Sequence, residues 1–332
     1  MSSPTPRCLR DSRAYSAIQQ LSSPYTLQSS PKLPLTSPDR LATTSEDKSI
    51  LYLAYGSNLS AETFRGTRGI HPLSAINVHV PSLTLTFDLA GIPYLEPCFA
   101  NTRYSTPPPP GKDAAHAAEY RKNRWKKGLV GVLYEVTLAD YRTIISTEGG
   151  GASYQDIVVP CFPLDMGLAT TPDDPQGTPV RAHTLMSPPS GSRIVRPDPA
   201  YAQPSWRYLK LITDGAQEHC LPADYAEYLS VIRGYTITTW RQRVGYALFL
   251  GSWLPWLMVA MTIGRLVGDE AGRVPAWYAK LIGLFFTQMW KVYDFGFKHI
   301  WGDGERTMGD AADEEAGWLK EEWQSEKSAL LS

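Results

Sequence analysis

The sequence is short of what several common chemistries require. Its four cysteines, Cys8, Cys98, Cys161 and Cys220, stand far apart with no C-x-x-C pair. That spacing fits neither a zinc site nor a disulfide framework, and a reducing compartment is the simpler reading. Charge of one sign is not in excess: the formal net charge is -1, so nothing global argues for nucleic acid as a partner. The first fifty residues contain no apolar run long enough for a secretory signal. No Lys-Ser/Thr pair follows Gly56, the glycine of the chain's most informative turn, which removes a phosphate loop of the nucleotide-binding kind.

What is present starts with Leu51-Tyr52-Leu53-Ala54-Tyr55-Gly56-Ser57-Asn58-Leu59. Up to Tyr55 the aromatic and aliphatic residues suit a buried strand; Gly56, Ser57 and Asn58 then supply turn chemistry, and Ser60 can cap a helix whose first turn carries Glu62. A strand that ends in such a turn leaves backbone N–H groups free beside a helix N-terminus, where a carboxylate can collect hydrogen bonds and a favourable dipole. The same residues also make an ordinary structural turn.

Residues 1–49 are rich in Ser, Pro and Thr and read as a disordered leader. Arg7, Arg10 and Arg13 beside the single acid Asp11 give it some likeness to a mitochondrial transit peptide, but repeated prolines spoil an amphipathic helix. A cytoplasmic location is therefore the first expectation and mitochondrial import the alternative. Strands are predicted at Leu83–Phe87, Cys98–Thr102, Leu129–Val136, Tyr154–Phe162 and Val180–Met186. Between the second and third of these, Pro107–Pro110 and the basic Arg121–Lys127 stretch read as a surface insertion, or as a patch for an anionic membrane surface. A helix capped by Thr137 and Asp140 runs through Ile145 and into Glu148-Gly149-Gly150-Gly151, where three glycines stop it. Glu148 then sits at the negative end of a helix dipole, a place that favours holding a proton. On the residues alone, the first reading of Glu148 is a helix-end surface carboxylate. Two further helices, Ser205–Ala216 and Pro222–Ile232, complete an α+β domain around a compact, barrel-like sheet over residues 50–235.

Three blocks in this stretch resemble the gamma-glutamylcyclotransferase family: Tyr55-Gly56-Ser57-Asn58-Leu59, Glu148-Gly149 with Tyr154, and Pro204-Ser205-Trp206-Arg207-Tyr208 leading to Gly215-Ala216 and Leu221-Pro222. The resemblance implies a small mixed β-barrel with flanking helices. It implies a substrate cradle at Tyr55, Gly56, Ser57, Asn58 and Leu59, an acid/base at Glu148, and substrate-orienting tyrosines at Tyr154 and Tyr208. The glycines after Glu148 depart from the better-known members and look more like the fungal branch, some of whose members act on glutathione adducts. The implied reaction is cyclisation of a gamma-glutamyl amide to 5-oxoproline with release of the amine, a lyase chemistry that needs no metal and no cofactor, only a folded substrate and one group to move protons. The rival expectation is a catalytically inactive gamma-glutamyl-binding or membrane-associated adaptor of the same fold. Neither the amine half of the substrate nor an oligomeric state is readable.

The last third differs in kind. Val244 to Ile263 contains no charge, and Arg241 and Arg243 flank one end with Arg265 at the other. That length suits a membrane-spanning helix; helices packed on the barrel or on a partner chain are the other reading. Leu281–Trp290, between Lys280 and Lys291, is too short to cross and suits an interfacial position with Trp277, Trp290 and Trp301 as anchors. Residues 236–302 are thus expected as a hydrophobic helical region, a possible membrane anchor facing the cytosol, and 303–332 as a solvated acidic tail.

Overall fold

The computed structural model describes residues 33–43, 46–105, 125–148, 154–175, 177–187, 196, 201–269 and 274–308. The start of the leader, most of the basic insertion, the three glycines after Glu148 and the tail from residue 309 lie outside the described residues.

Among the described residues seven strands form: β1 (Ser49–Ala54), β2 (Ser74–Val80), β3 (Leu83–Ile92), β4 (Glu96–Tyr104), β5 (Leu129–Thr137), β6 (Gln155–Leu164) and β7 (Val180–Met186). Five close into a barrel in the order β1-β5-β2-β6-β7, and β3 and β4 make a separate antiparallel ribbon. The barrel is antiparallel except where β1 meets β7, with Tyr52 opposite His183. This is the α+β, small mixed-barrel architecture expected from the sequence. All six residues of β1 are buried, because its flanks pair with β5 and β7 while its two faces meet the core and the helix that follows β5. Leu53, Leu133, Val132 and Ala182 fill the centre. In β3, burial alternates residue by residue, the pattern that the Leu83-Thr84-Leu85-Thr86-Phe87 alternation predicts for a half-covered strand.

The helices are α1 (Pro38–Ala42), α2 (Leu138–Thr147), α3 (Trp206–Glu218), α4 (Ala223–Ser230), α5 (Trp240–Val267) and α6 (Ala276–Val292). The last continues through a wide turn at Tyr293–Phe297 into α7 (Lys298–Trp301). Caps fall where the sequence puts them: Thr137 Oγ1 accepts from Asp140 N at 3.1 Å, and Ser205 Oγ from Tyr208 N at 3.1 Å.

Two boundaries differ from expectation. Residues 33–43 belong with the barrel although composition assigns them to the leader: Leu35 bridges Ala75, and Arg40 Nε lies 3.1 Å from Glu135 Oε1. At the other end, Asp303, Glu305 and Thr307 are buried rather than solvated. Arg196 binds both Glu305 and Asp294 at 2.7 Å, which compensates the charge that burial would otherwise leave isolated. A second core of Tyr94, Phe249, Met289, Trp290 and Tyr293 joins this region to the β3–β4 turn.

Candidate active site

The chain leaves β1 at Tyr55 and turns within one residue. Gly56 opens a tight 3-10 turn over Ser57–Leu59, closed by hydrogen bonds from Leu59 N to Gly56 O (3.0 Å) and from Ser60 N to Ser57 O (3.1 Å). Among the described residues no acceptor takes the N–H groups of Gly56, Ser57 and Asn58, as expected at the first turn of a helix. The helix expected after Ser60 is instead a single wide π turn, Glu62–Thr67, and Ser60 Oγ accepts from Glu62 N at 3.2 Å. The wide turn delivers Arg68 next to Glu148.

A polar cluster gathers around Asn58, which is buried. Its Nδ2 donates to Tyr52 Oη at 2.9 Å and to Glu148 Oε1 at 3.2 Å. Glu148 caps the C-terminus of α2 and is paired with Arg68, whose Nη2 lies 2.6 Å from Glu148 Oε1. A second nitrogen of Arg68 donates to Thr147 Oγ1 at 2.6 Å, so the guanidinium is held between adjacent residues of the helix end. Asn58 Oδ1 is buried with no partner among the described residues, an uncommon condition for a side-chain acceptor.

Three tyrosines lie around the turn. Tyr55 Oη donates to Leu185 O at 2.5 Å, which ties the end of β1 to β7. Tyr208, on α3, accepts from Ala100 N at 3.1 Å, and its hydroxyl lies 3.3 Å from where a Cβ on Gly56 would stand. Tyr154 is half-buried at the start of β6 and packs on the main core. Burial pushes the Tyr55, Tyr52 and Tyr208 hydroxyls well above the ordinary phenol range, so near neutral pH they keep their protons and serve as hydrogen-bonding groups. Tyr55 lies within electrostatic reach of Tyr154, Tyr52, Tyr208 and Glu148, which marks these residues as one neighbourhood. Leu59 is fully buried beneath α3, where Gly215 approaches so closely that a Cβ there would meet the Leu59 carbonyl carbon at 2.4 Å.

The structure therefore gathers Asn58 and Glu148 in direct contact, with Tyr55, Gly56, Tyr208 and Tyr154 around them. Ser57 contributes its backbone to the turn. Sequence reasoning missed two members, Arg68 and Tyr52. Tyr52 lies inside the opening strand, whose six residues are all buried, so no pattern sets it apart from its neighbours; Arg68 has no signal either, because its position depends on the wide turn. Among the described residues no group of His, Cys, Asp and Glu is arranged to hold a metal ion.

Comparison with known proteins covers most of the chain. Residues 239–300 match the family model described as the AclK C-terminal domain. The chain is 33% identical over 291 residues to the gamma-glutamyl cyclotransferase aclK of Aspergillus oryzae, covering 84% of this chain and 96% of that relative. It is 33% identical over 257 residues to the gamma-glutamyl cyclotransferase gliK of Aspergillus fumigatus, covering 77% and 89%. A solved gamma-glutamyl cyclotransferase aligns with a TM-score of 0.39 at 20% identity, over 57% of this chain and 92% of that one. Identity at this level, over nearly the whole length of fungal relatives, places the chain in the gamma-glutamylcyclotransferase family.

Proposed function

We propose that this protein cyclises a gamma-glutamyl amide, a gamma-glutamyl amino acid, peptide or glutathione adduct, to 5-oxoproline and releases the amine. The observation that carries the reading is the contact between Asn58 of the glycine turn and Glu148, with a buried Asn58 Oδ1 left unpaired beside it. In the reaction the substrate's own α-amine attacks its γ-carbonyl carbon; the new C–N bond closes a five-membered ring and the original amide C–N bond breaks. The proton lost by the attacking nitrogen goes to the Glu148 carboxylate and is returned to the departing nitrogen. Holding amine and carbonyl together supplies much of the acceleration, since both already belong to one molecule.

Each group then has a task. The free N–H groups of Gly56, Ser57 and Asn58 receive the substrate α-carboxylate or the oxyanion that develops on the γ-carbonyl. Asn58 Oδ1 accepts from the α-amine and aims its lone pair. Arg68 and Thr147 fix Glu148 against rotation. Tyr55, Tyr154 and Tyr208, with Leu59 behind the turn, orient the glutamyl moiety and exclude water. The amine half leaves and needs few contacts, so the reading names the gamma-glutamyl group alone as the specificity determinant. A membrane surface facing the cytosol is where we place this activity, through the apolar helix α5.

The test is 5-oxoproline release from a panel of gamma-glutamyl dipeptides, glutathione and glutathione S-conjugates incubated with purified protein. Release from at least one class, absent with α-glutamyl analogues, is expected. Tight binding of these compounds without any 5-oxoproline would favour the adaptor instead.

A further inference from the structure

We infer that α5 and α6 form a helical hairpin that lies in the interface of an anionic bilayer from one side, without crossing it. This rests on the membrane reading above and specifies its mode. Among the described residues one helix, Trp240–Gly264, is long and apolar enough to cross a membrane, and only 11% of its apolar window is buried. A core helix of a water-soluble domain would be mostly covered.

The pattern of exposure on α5 indicates what covers it. From Trp253 to Gly264 the half-covered positions are Trp253, Leu257, Ala260 and Gly264, a single stripe at helical spacing. That stripe faces α6, where the Tyr278 hydroxyl donates to Ala260 O. Around the rest of the circumference Leu254, Trp256, Met258, Val259, Met261 and Ile263 are exposed. A docked protein or a second copy would cover one apolar face, whereas exposed apolar side chains on more than one side of α5 suit a lipid surface into which the helix sinks. On α6, Trp277, Leu281 and Leu284 continue the exposed surface. Between residues 240 and 292 there are six Arg or Lys and two Asp or Glu, which favours an anionic surface.

The two ends of the hairpin decide between lying and crossing. Gln242 Nε2, at the start of α5, donates to Asp303 O at 2.7 Å, and Tyr94 N on the β3–β4 turn donates to Gly304 O at 2.7 Å. The chain thus returns, just past α7, to the place from which it left. If α5 crossed a bilayer, α6 would have to cross back. The uncharged run of α6 from Leu281 to Trp290 is ten residues, about 15 Å of helix, against a hydrocarbon core of about 30 Å. Lys280 and Lys291 bound it, and both are exposed. With Arg241 and Arg243 at one end and Asp269 at the other, the hairpin has charged groups at both ends and an apolar stretch between them, the distribution of a helix whose ends stay at headgroup level while the stretch between sinks below it.

Flotation of the full-length protein with phosphatidylcholine vesicles, with and without phosphatidylserine, tests binding. The protein is expected to float, more completely with phosphatidylserine, and Trp256→Glu combined with Val259→Glu, both exposed positions, should lose most of the floated fraction. Protein that stays at the bottom of every gradient overturns membrane binding altogether; a dimer in light scattering that the double variant splits assigns the surface to a second copy and overturns it equally. A cysteine placed by Asp269→Cys should react with a membrane-impermeant maleimide added outside intact vesicles. Protection until detergent is added means that the hairpin crosses, which overturns the mode inferred here while leaving membrane binding in place. Release of 5-oxoproline by the double variant, measured without vesicles, reports the catalytic reading separately.

Discussion

Asn58 Nδ2 donates to Glu148 Oε1 at 3.2 Å across 90 positions of sequence, so the first turn of the barrel domain and the end of α2 meet in one hydrogen bond. The same nitrogen holds Tyr52 Oη, which fixes the amide plane and leaves Oδ1 buried without a partner among the described residues. Asn58→Leu keeps the bulk and removes both donor and acceptor. It should lower kcat/KM for gamma-glutamyl substrates by about tenfold to a hundredfold, the scale of one hydrogen bond to a charged group, with the far-ultraviolet circular dichroism unchanged. A folded variant with unaltered kinetics would return the turn to a purely structural part.

Gly215 shows how the turn is supported from behind. Helix α3 approaches Leu59 and Ser60 so closely that any side chain at 215 would press on their backbone, at 2.4 Å from the Leu59 carbonyl carbon and 2.6 Å from Ser60 N. Gly215→Ala should therefore displace the turn, costing about 1–3 kcal/mol and a melting temperature lower by several degrees. Because the displaced atoms close the turn whose earlier residues, Gly56, Ser57 and Asn58, carry the substrate-facing N–H groups, KM should rise as well. Thermal melts beside steady-state kinetics check both; a shift in stability alone would separate the packing role from the site.

The parts of this site readable from sequence are those fixed by local chemistry. Gly56-Ser57-Asn58 signals a turn whatever surrounds it, and Thr137 with Asp140 signals the start of α2, which places Glu148 at its end. Arg68 was not readable: its side chain reaches Glu148 only because Glu62–Thr67 winds as a wide turn, a conformation with no composition of its own. Glu148 therefore has a counter-charge that the helix-end argument left out. Asp303 and Glu305 were misread for a related reason. An acidic segment reads as solvated unless its cation is known, and Arg196 comes from a loop more than 100 residues earlier. Position in the barrel, too, was out of reach: the pairing of β1 with β7 joins residues that are separated by most of the domain.

His219 gives the protein a pH dependence that is independent of catalysis. It sits beside Tyr134, with Nε2 2.7 Å from the Tyr134 hydroxyl, and burial, reinforced by the charge of Arg65, lowers its pKa from 6.5 to about 4. The unfolded chain protonates this imidazole near its ordinary value, so between those two values the unfolded state binds more protons than the folded one. Its contribution to stability is complete above about pH 6.5 and is lost as pH falls toward 4, with a slope of at most about 1.4 kcal/mol per pH unit. Melting temperatures measured across this window should decline in the parent protein and decline less in His219→Gln, which cannot take up the proton. Parallel curves for the two would assign the acid sensitivity to other groups.

Glu148 carries the chemical step in the proposed mechanism, and its replacement is the sharpest test. The Glu148→Gln side chain has the same size and can still accept from Asn58 and Arg68, so the geometry of the turn, Tyr52 and the end of α2 should persist. What it loses is the ability to take a proton from the attacking amine and return it to the departing nitrogen. General acid–base catalysis of this kind contributes roughly 10²–10⁴ in rate, and the expected result is a fall of that size in kcat with KM little changed. Asn58 and Glu148 should also behave non-additively when replaced together, because each holds the other: the double variant should be slower than Glu148→Gln by less than the roughly tenfold to hundredfold that Asn58→Leu costs alone, the remainder being the contact of Asn58 with the substrate. The readout is 5-oxoproline formed per enzyme in single-turnover and steady-state experiments. If Glu148→Gln, correctly folded, turns over near the parent rate, proton transfer belongs to another group in the cluster, and substrate binding at the glycine turn has to be tested apart from it.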